Sequence, residues 1–217
     1  MTRVAELMSD RATPPVVAAL LSAAAVVGFV GGGVLGSLAT GGNGGRIEPA
    51  AADQPTGPER IDLTVVEATC ERPAAIDSAR NPVEYKPEFA VNGDLDSAWQ
   101  CRGDGVGERL EFDLGGPVGV VSVGIIPGYA KVDPHDGTEW YPLNRRLTEV
   151  RWHFDDGTAV DQQLDPDPEL RDMQALELPE PVTTSTLILE IVSSAPGSSD
   201  THPNVAVTDL EVRVAAS

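Results

Sequence analysis

Three histidines, three tryptophans, three tyrosines and two cysteines are the side chains of this 217-residue chain best equipped for specific chemistry. An enzyme needs an acid, a base or a nucleophile held within mutual reach. His153 alternates with Trp152 and Phe154, which places it on the outer face of a strand as a solvated side chain. His135 stands in Asp133-Pro134-His135-Asp136, where it either contributes to a metal site or stays in a solvated loop, and His202-Pro203 sits in another loop. Gly-x-Ser-x-Gly, His-Glu-x-x-His and Cys-x-x-Cys are all missing, so the common hydrolase and zinc signatures are not met. The pattern reads as noncatalytic.

The aromatics point instead to binding. Trp99 and Trp152 occupy motif or alternating positions and are expected in a core. Trp140 and Tyr141 lie in the polar stretch Lys131–Leu143, where nothing in the pattern calls for burial. Together with Tyr129, Lys131, Asn144 and Arg145 they would stack on a sugar ring and bond its hydroxyls; alternatively, the two aromatics fold back as a lid. Asp94 and Asp96 flank Leu95 in a tight loop, where they either help neighbouring carbonyls hold a structural calcium or cap the turn. No other cofactor is expected.

These residues need a frame, and from Ile61 onward the chain reads as short strands separated by turns. Leu110, Phe112 and Leu114 alternate with Arg109, Glu111 and Asp113, as a half-buried strand requires. Val150, Trp152 and Phe154 make a second set, Leu187, Leu189 and Ile191 a third, and Leu210, Val212 and Val214 a fourth. Val118–Ile126 is apolar on both faces and predicts a central strand. Turns are expected at Gly115-Gly116-Pro117, Asp155-Asp156-Gly157, Pro166-Asp167-Pro168 and Ala195-Pro196-Gly197. The spacing is that of an all-β, antiparallel β-sandwich over residues 61–215, with the binding loops of 128–144 at one end.

The N-terminal part differs in kind. Residues 16–39 carry no charged side chain and are long enough, as a helix, to cross a hydrocarbon core of about 30 Å. A cleaved signal peptide is the competing reading, with Ser37-Leu38-Ala39 as the cleavage site, but the run exceeds the roughly 7–15 residues of a signal h-region. Arg3 and Arg11 are also balanced by Glu6 and Asp10, so a retained transmembrane helix after a short cytoplasmic segment, 1–15, is preferred. Gly28, Gly32 and Gly36 share one helix face and would allow close approach in a homodimer. Residues 40–60, rich in glycine, proline and small polar side chains, read as a flexible linker.

The two basic and two acidic side chains before residue 40 cancel, so the whole formal charge of −19 belongs to the folded part and its linker. So acidic a domain is not a nucleic-acid binder and would not adhere to anionic lipid. Cys70 and Cys101, the only cysteines, fit a disulfide in an oxidising compartment. Charge and cysteines together favour a single-pass protein of the cell membrane with its C-terminal domain outside the cytoplasm, or a secreted one if cleaved near Ala39.

Tyr85-Lys86-Pro87, then Val91-Asn92-Gly93-Asp94-Leu95-Asp96-Ser97-Ala98-Trp99, then Gly105-Val106-Gly107-Glu108 opening a strand, resemble the discoidin, or F5/8 type C, superfamily. Gly128-Tyr129-Ala130-Lys131, Tyr141, Asn144-Arg145-Arg146 and Asp155-Asp156-Gly157 extend the likeness to the discoidin-like domain found beside bacterial NAD glycohydrolase toxins. The resemblance spans residues 62–214 and implies a β-sandwich (jelly-roll) fold and a glycan-binding and translocation role, with a structural calcium in many sugar-binding members. Asn92 stands where the pattern usually has Asp, and the Cys70–Cys101 spacing is not the end-to-end bridge of the clotting members. The functional expectation is a noncatalytic, extracytoplasmic module recognising a glycan or cell-envelope polymer. The alternative is a structural module docking an envelope protein partner at the membrane.

Overall fold

The computed structural model describes residues 57–216. The expected transmembrane helix 16–39, its Gly28, Gly32 and Gly36 face and most of the 40–60 linker lie outside the described residues. Among the described residues no helix is long and apolar enough to cross a membrane.

The domain is all-β and antiparallel. Its spine is two long strands, β6 (Arg109–Ile126) and β9 (Gln174–Ala195), which pair along most of their length. Around them lie β1 (Glu59–Arg60), β2 (Thr64–Ala68), β7 (Arg146–Phe154), β8 (Ala159–Gln163) and β11 (Asp209–Val214), in the order β1-β11-β6-β9-β7-β8 with β2 also on β6. The strand over Val118–Ile126 is central as expected, hydrogen-bonded to β11 on one side and β9 on the other. β1 falls inside the expected linker, so the sheet begins before Ile61; Arg60 holds it there by reaching the buried Asp209 carboxylate at 3.3 Å.

Gly115-Gly116-Pro117 is not the turn the sequence suggested. It lies within β6, where the pairing with β9 shifts register between Asp113 and Val118. Gly115 and Gly116 have φ of 78° and 134°, values open to glycine, and Pro117 brings no N–H to the ladder. Further along, at a second register shift between Val120 and Ser122, Pro179 and Pro181 occupy a stretch of β9 that carries no ladder partner. Across these two shifts the sheet divides into two layers. One contains β2, the first half of β6, the second half of β9, β7 and β8; the other contains β1, β11 and the remaining halves.

The four alternating sets meet between these layers. Leu110, Phe112, Val123, Ile125, Val150, Trp152, Leu187, Leu189, Leu210 and Val212 belong to one buried cluster, and Val214 at the end of its set is only partly buried. Trp99 joins them from β5 (Trp99–Cys101), which pairs with β10 (Val205–Val207). The Cys70–Cys101 disulfide forms, with Cα atoms 5.7 Å apart, and ties β5 to the segment after β2.

Candidate functional site

Three loops gather at one end of the sandwich. β7 starts beside the end of β9, with Arg146 opposite Ala195, and Leu147 donates to the Pro127 carbonyl just after β6 at 2.8 Å. The 127–145 connection and the 196–204 connection therefore leave from the same end. The small hairpin of β3 (Ala75–Ile76) and β4 (Pro82–Val83) forms the third wall of a pocket of about 310 Å³.

Thr208 fixes the start of the first loop. Its buried hydroxyl donates to the Gly128 carbonyl at 2.6 Å and accepts from the Ala130 N–H at 2.9 Å. Residues 132–139 then close on themselves, with the Trp140 N–H reaching the Lys131 carbonyl at 3.0 Å. Asp133 receives the His135 N–H at 2.9 Å and the Ser78 hydroxyl at 3.2 Å, joining this loop to the hairpin. A single helical turn, α1 (Trp140–Leu143), follows and is closed by Asn144, whose side-chain amide donates to the Trp140 carbonyl at 3.0 Å.

An aromatic wall results. Tyr85 meets Tyr129 edge-on with ring centroids 6.4 Å apart, Tyr129 lies 6.2 Å from Trp140, and Trp140 packs against His202 at 5.0 Å. Only Trp140 and His202 retain partial exposure; Tyr85 and Tyr129 are buried. The Arg72 guanidinium lies 4.2 Å over the Tyr85 ring and donates to Gln100 Oε1 at 2.6 Å, so the cation is held before any ligand arrives. Asn144 also lines the pocket, is only 1% exposed, and its Oδ1 has no hydrogen-bond partner among the described residues.

Four of the six predicted residues, Tyr129, Lys131, Trp140 and Asn144, line this pocket. Tyr141 does not. Its ring is fully buried against Gly128, where a side chain would overlap it, and burial pushes its pKa up to about 12. Within one helical turn successive side chains point about 100° apart, so Trp140 and Tyr141 cannot share a face. Arg145 is also turned away: it donates to the Ser194 hydroxyl and carbonyl, both at 3.0 Å, and holds the end of β9.

Sequence reasoning missed Arg72, Tyr85 and His202. Tyr85 stood in the quoted Tyr-Lys-Pro motif, but nothing local marked Arg72 or separated His202 from any loop histidine. Burial first, then the nearby Arg72 charge, hold His202 below its ordinary pKa, so it is neutral at pH 7. Burial also raises the Tyr129 pKa, which keeps its phenol protonated. The backbone N–H of Asn81 keeps Asp77 low, and the Thr138 hydroxyl does the same for Asp136, so both carboxylates stay charged.

Asn92 Oδ1 accepts the Asp94 N–H at 2.9 Å and Asp94 Oδ1 accepts the Asp96 N–H at 2.9 Å, so these oxygens shape the turn. Among the described residues no three His, Cys, Asp or Glu side chains gather as metal ligands. His153 does not stand free on its outer face either; its Nε2 lies 2.8 Å from Glu190, which Arg109 also contacts at 2.9 Å.

The sequence of residues 64–213 matches the model of the NAD glycohydrolase translocation F5/8 type C domain. The chain belongs to that family. In fold this family member resembles CBM32-3 from a family 31 glycoside hydrolase of Clostridium perfringens, with a TM-score of 0.50 and 14% identity over 71% of this chain and 94% of that one. The family 32 module of C. perfringens NanJ, solved in complex with galactose, gives 0.49 and 14% over 72% and 98%. The module of Streptococcus pneumoniae EndoD gives 0.48 and 13% over 71% and 98%. Such identities speak to fold alone. No curated protein matches the chain.

Proposed function

We propose that this protein is a noncatalytic glycan-binding module, held at the outer surface of a cell membrane by residues 16–39 and spaced from it by the linker. The observation that carries the reading is Trp140, a partly exposed indole at the wall of a pocket that also presents a preorganised Arg72. Sugars offer an apolar ring face and a rim of hydroxyls. Trp140 supplies the stacking surface, and Arg72 and Lys131 donate to ring hydroxyls. The flanking Tyr129 and His202 fix the indole plane, so little side-chain entropy is lost on binding.

The domain's acidity favours neutral or cationic polymers over acidic ones. The test is a glycan array probed with the full chain in detergent, followed by calorimetric titration of the strongest hit. Trp140→Ala is expected to weaken binding by at least about tenfold, a loss of about 1.4 kcal/mol, with the folded domain retained. Full affinity in that variant, or a bound sugar away from this pocket, would overturn the assignment, and specific capture of an envelope protein with no glycan signal would favour the docking alternative.

A further inference from the structure

We propose that the sugar recognised at this pocket carries a bare methyl group, on a ring carbon as in a 6-deoxyhexose or on oxygen as a methyl ether, and that Ile76 receives it. This rests on the glycan reading above and goes beyond it by naming the substituent. Ile76 is 67% exposed, yet it lines the pocket. Burial explains its neighbours but not Ile76 itself: Ala75 and Val83, also lining residues, pack against the buried Tyr85 and Tyr129, whereas Ile76 belongs to neither buried cluster. The fold therefore gains little from an isoleucine here, and a ligand that covers it gains by taking apolar surface out of water. Leu143 lines the pocket as well and enlarges the aliphatic part of its wall.

The polar groups beside Ile76 are already engaged. Both Asp77 carboxylate oxygens accept from Asn81, one from its backbone N–H at 2.7 Å and the other from its side-chain amide at 3.4 Å. The Ser78 hydroxyl donates to Asp133 at 3.2 Å. These bonds hold the hairpin and join it to the 127–145 loop. A hydroxymethyl group or an acyl amide set against Ile76 would leave water for an aliphatic surface, which costs free energy unless a new partner is found. A methyl group has no polar atom to desolvate. The two kinds of wall thus divide the sugar: its hydroxyls go to Arg72 and Lys131, and its methyl group to Ile76. Such a ligand is uncharged, in keeping with the acidity of the domain.

The experiment is calorimetric titration of the full chain in detergent with pairs of sugars that differ at one substituent. L-Fucose against L-galactose and L-rhamnose against L-mannose exchange a ring-carbon methyl for a hydroxymethyl group, and 3-O-methylglucose against glucose tests the ether. N-acetylglucosamine against N-formylglucosamine tests a methyl carried on an amide. The expected result is that a ring-carbon or ether methyl strengthens binding about fourfold, the factor that one buried methyl group supplies, and the pair that shows it names the source. Ile76→Val should keep most of that ratio and Ile76→Ser bring it to about one, with the folded domain retained in both. Ratios of one in every pair, a preference confined to N-acetylglucosamine, or a preference that survives Ile76→Ser overturns this inference. If the array reveals a Trp140-dependent ligand but no methylated sugar is preferred, the inference falls and the glycan reading stands; if no glycan binds, both fall.

Discussion

The Trp140 indole meets the His202 imidazole edge to face, with ring centroids 5.0 Å apart and ring planes at 76°. The two rings come from different loops, and the contact depends on the charge of one of them. Burial and Arg72 hold the His202 pKa below its ordinary value. A histidine whose folded pKa is depressed contributes stability above its unfolded pKa and loses it as pH falls through the folded value. Affinity and loop stability are therefore expected to hold at neutral pH and decline on mild acidification, as Arg72 comes to face a second cation. Glycan affinity measured against pH checks this, with His202→Gln expected to lose the acid limb; identical profiles would remove His202 from the site.

The disulfide should matter to both stability and binding. In the chain-entropy model, opening a bridge between residues 31 apart in sequence costs about 3–4 kcal/mol. The bridge also lies beside the Arg72 N–H, which donates to the Gln100 carbonyl at 2.8 Å, so its loss frees the segment that carries Arg72. Denaturant titration of the Cys70→Ser/Cys101→Ser variant is expected to reveal the stability loss, and calorimetry a weaker glycan affinity.

Trp99 is 1% exposed and donates its indole N–H to the Cys70 carbonyl at 2.8 Å. Trp99→Ala should cost about 3–5 kcal/mol through the cavity it leaves. Trp99→Phe keeps much of the volume and isolates the smaller loss of the hydrogen bond. Chemical denaturation of both variants separates the two contributions, and wild-type stability in the alanine variant would contradict the core placement.

Arg146 holds the pocket from behind. It is buried and donates to the carbonyls of Tyr141 at 3.1 Å, Asn144 at 3.1 Å and Pro166 at 2.6 Å, with Pro142 at 3.3 Å and Pro196 at 3.5 Å beside them. A lysine has one nitrogen and cannot span these segments, so Arg146→Lys is expected to destabilise by more than about 2 kcal/mol through unpaired carbonyls. Gly128→Ala acts on the same wall, since a methyl group there would drive into the Tyr141 ring, at a cost of about 1–3 kcal/mol for overpacking. Both variants should also shift Trp140 fluorescence, which a distant core mutation would leave alone.

Much of the frame was legible in the sequence because burial on one face of a strand imposes a period of two on the chain. Leu110 and Phe112, Val150 and Trp152, Leu187 and Leu189, Leu210 and Val212 carry that period, and all are buried where it places them. The same local logic located Trp99, the central strand over Val118–Ile126 and the loop that carries Trp140. It failed wherever the outcome depended on what arrives from elsewhere. Gly115-Gly116-Pro117 has the composition of a turn, yet pairing with β9 on both sides makes it a bulge in one strand. Tyr141 sits beside Trp140 in a polar loop, but the open space over Gly128 admits its ring to the interior. The spacing of Asp94 and Asp96 also serves the turn itself, because Asp94 Oδ1 accepts the Asp96 N–H. Arg72 and His202 carry no mark along the chain, and the motif that holds Tyr85 does not say what its ring faces, because a binding pocket is a meeting of sequence-distant segments and only the folded sheet brings them together at one end.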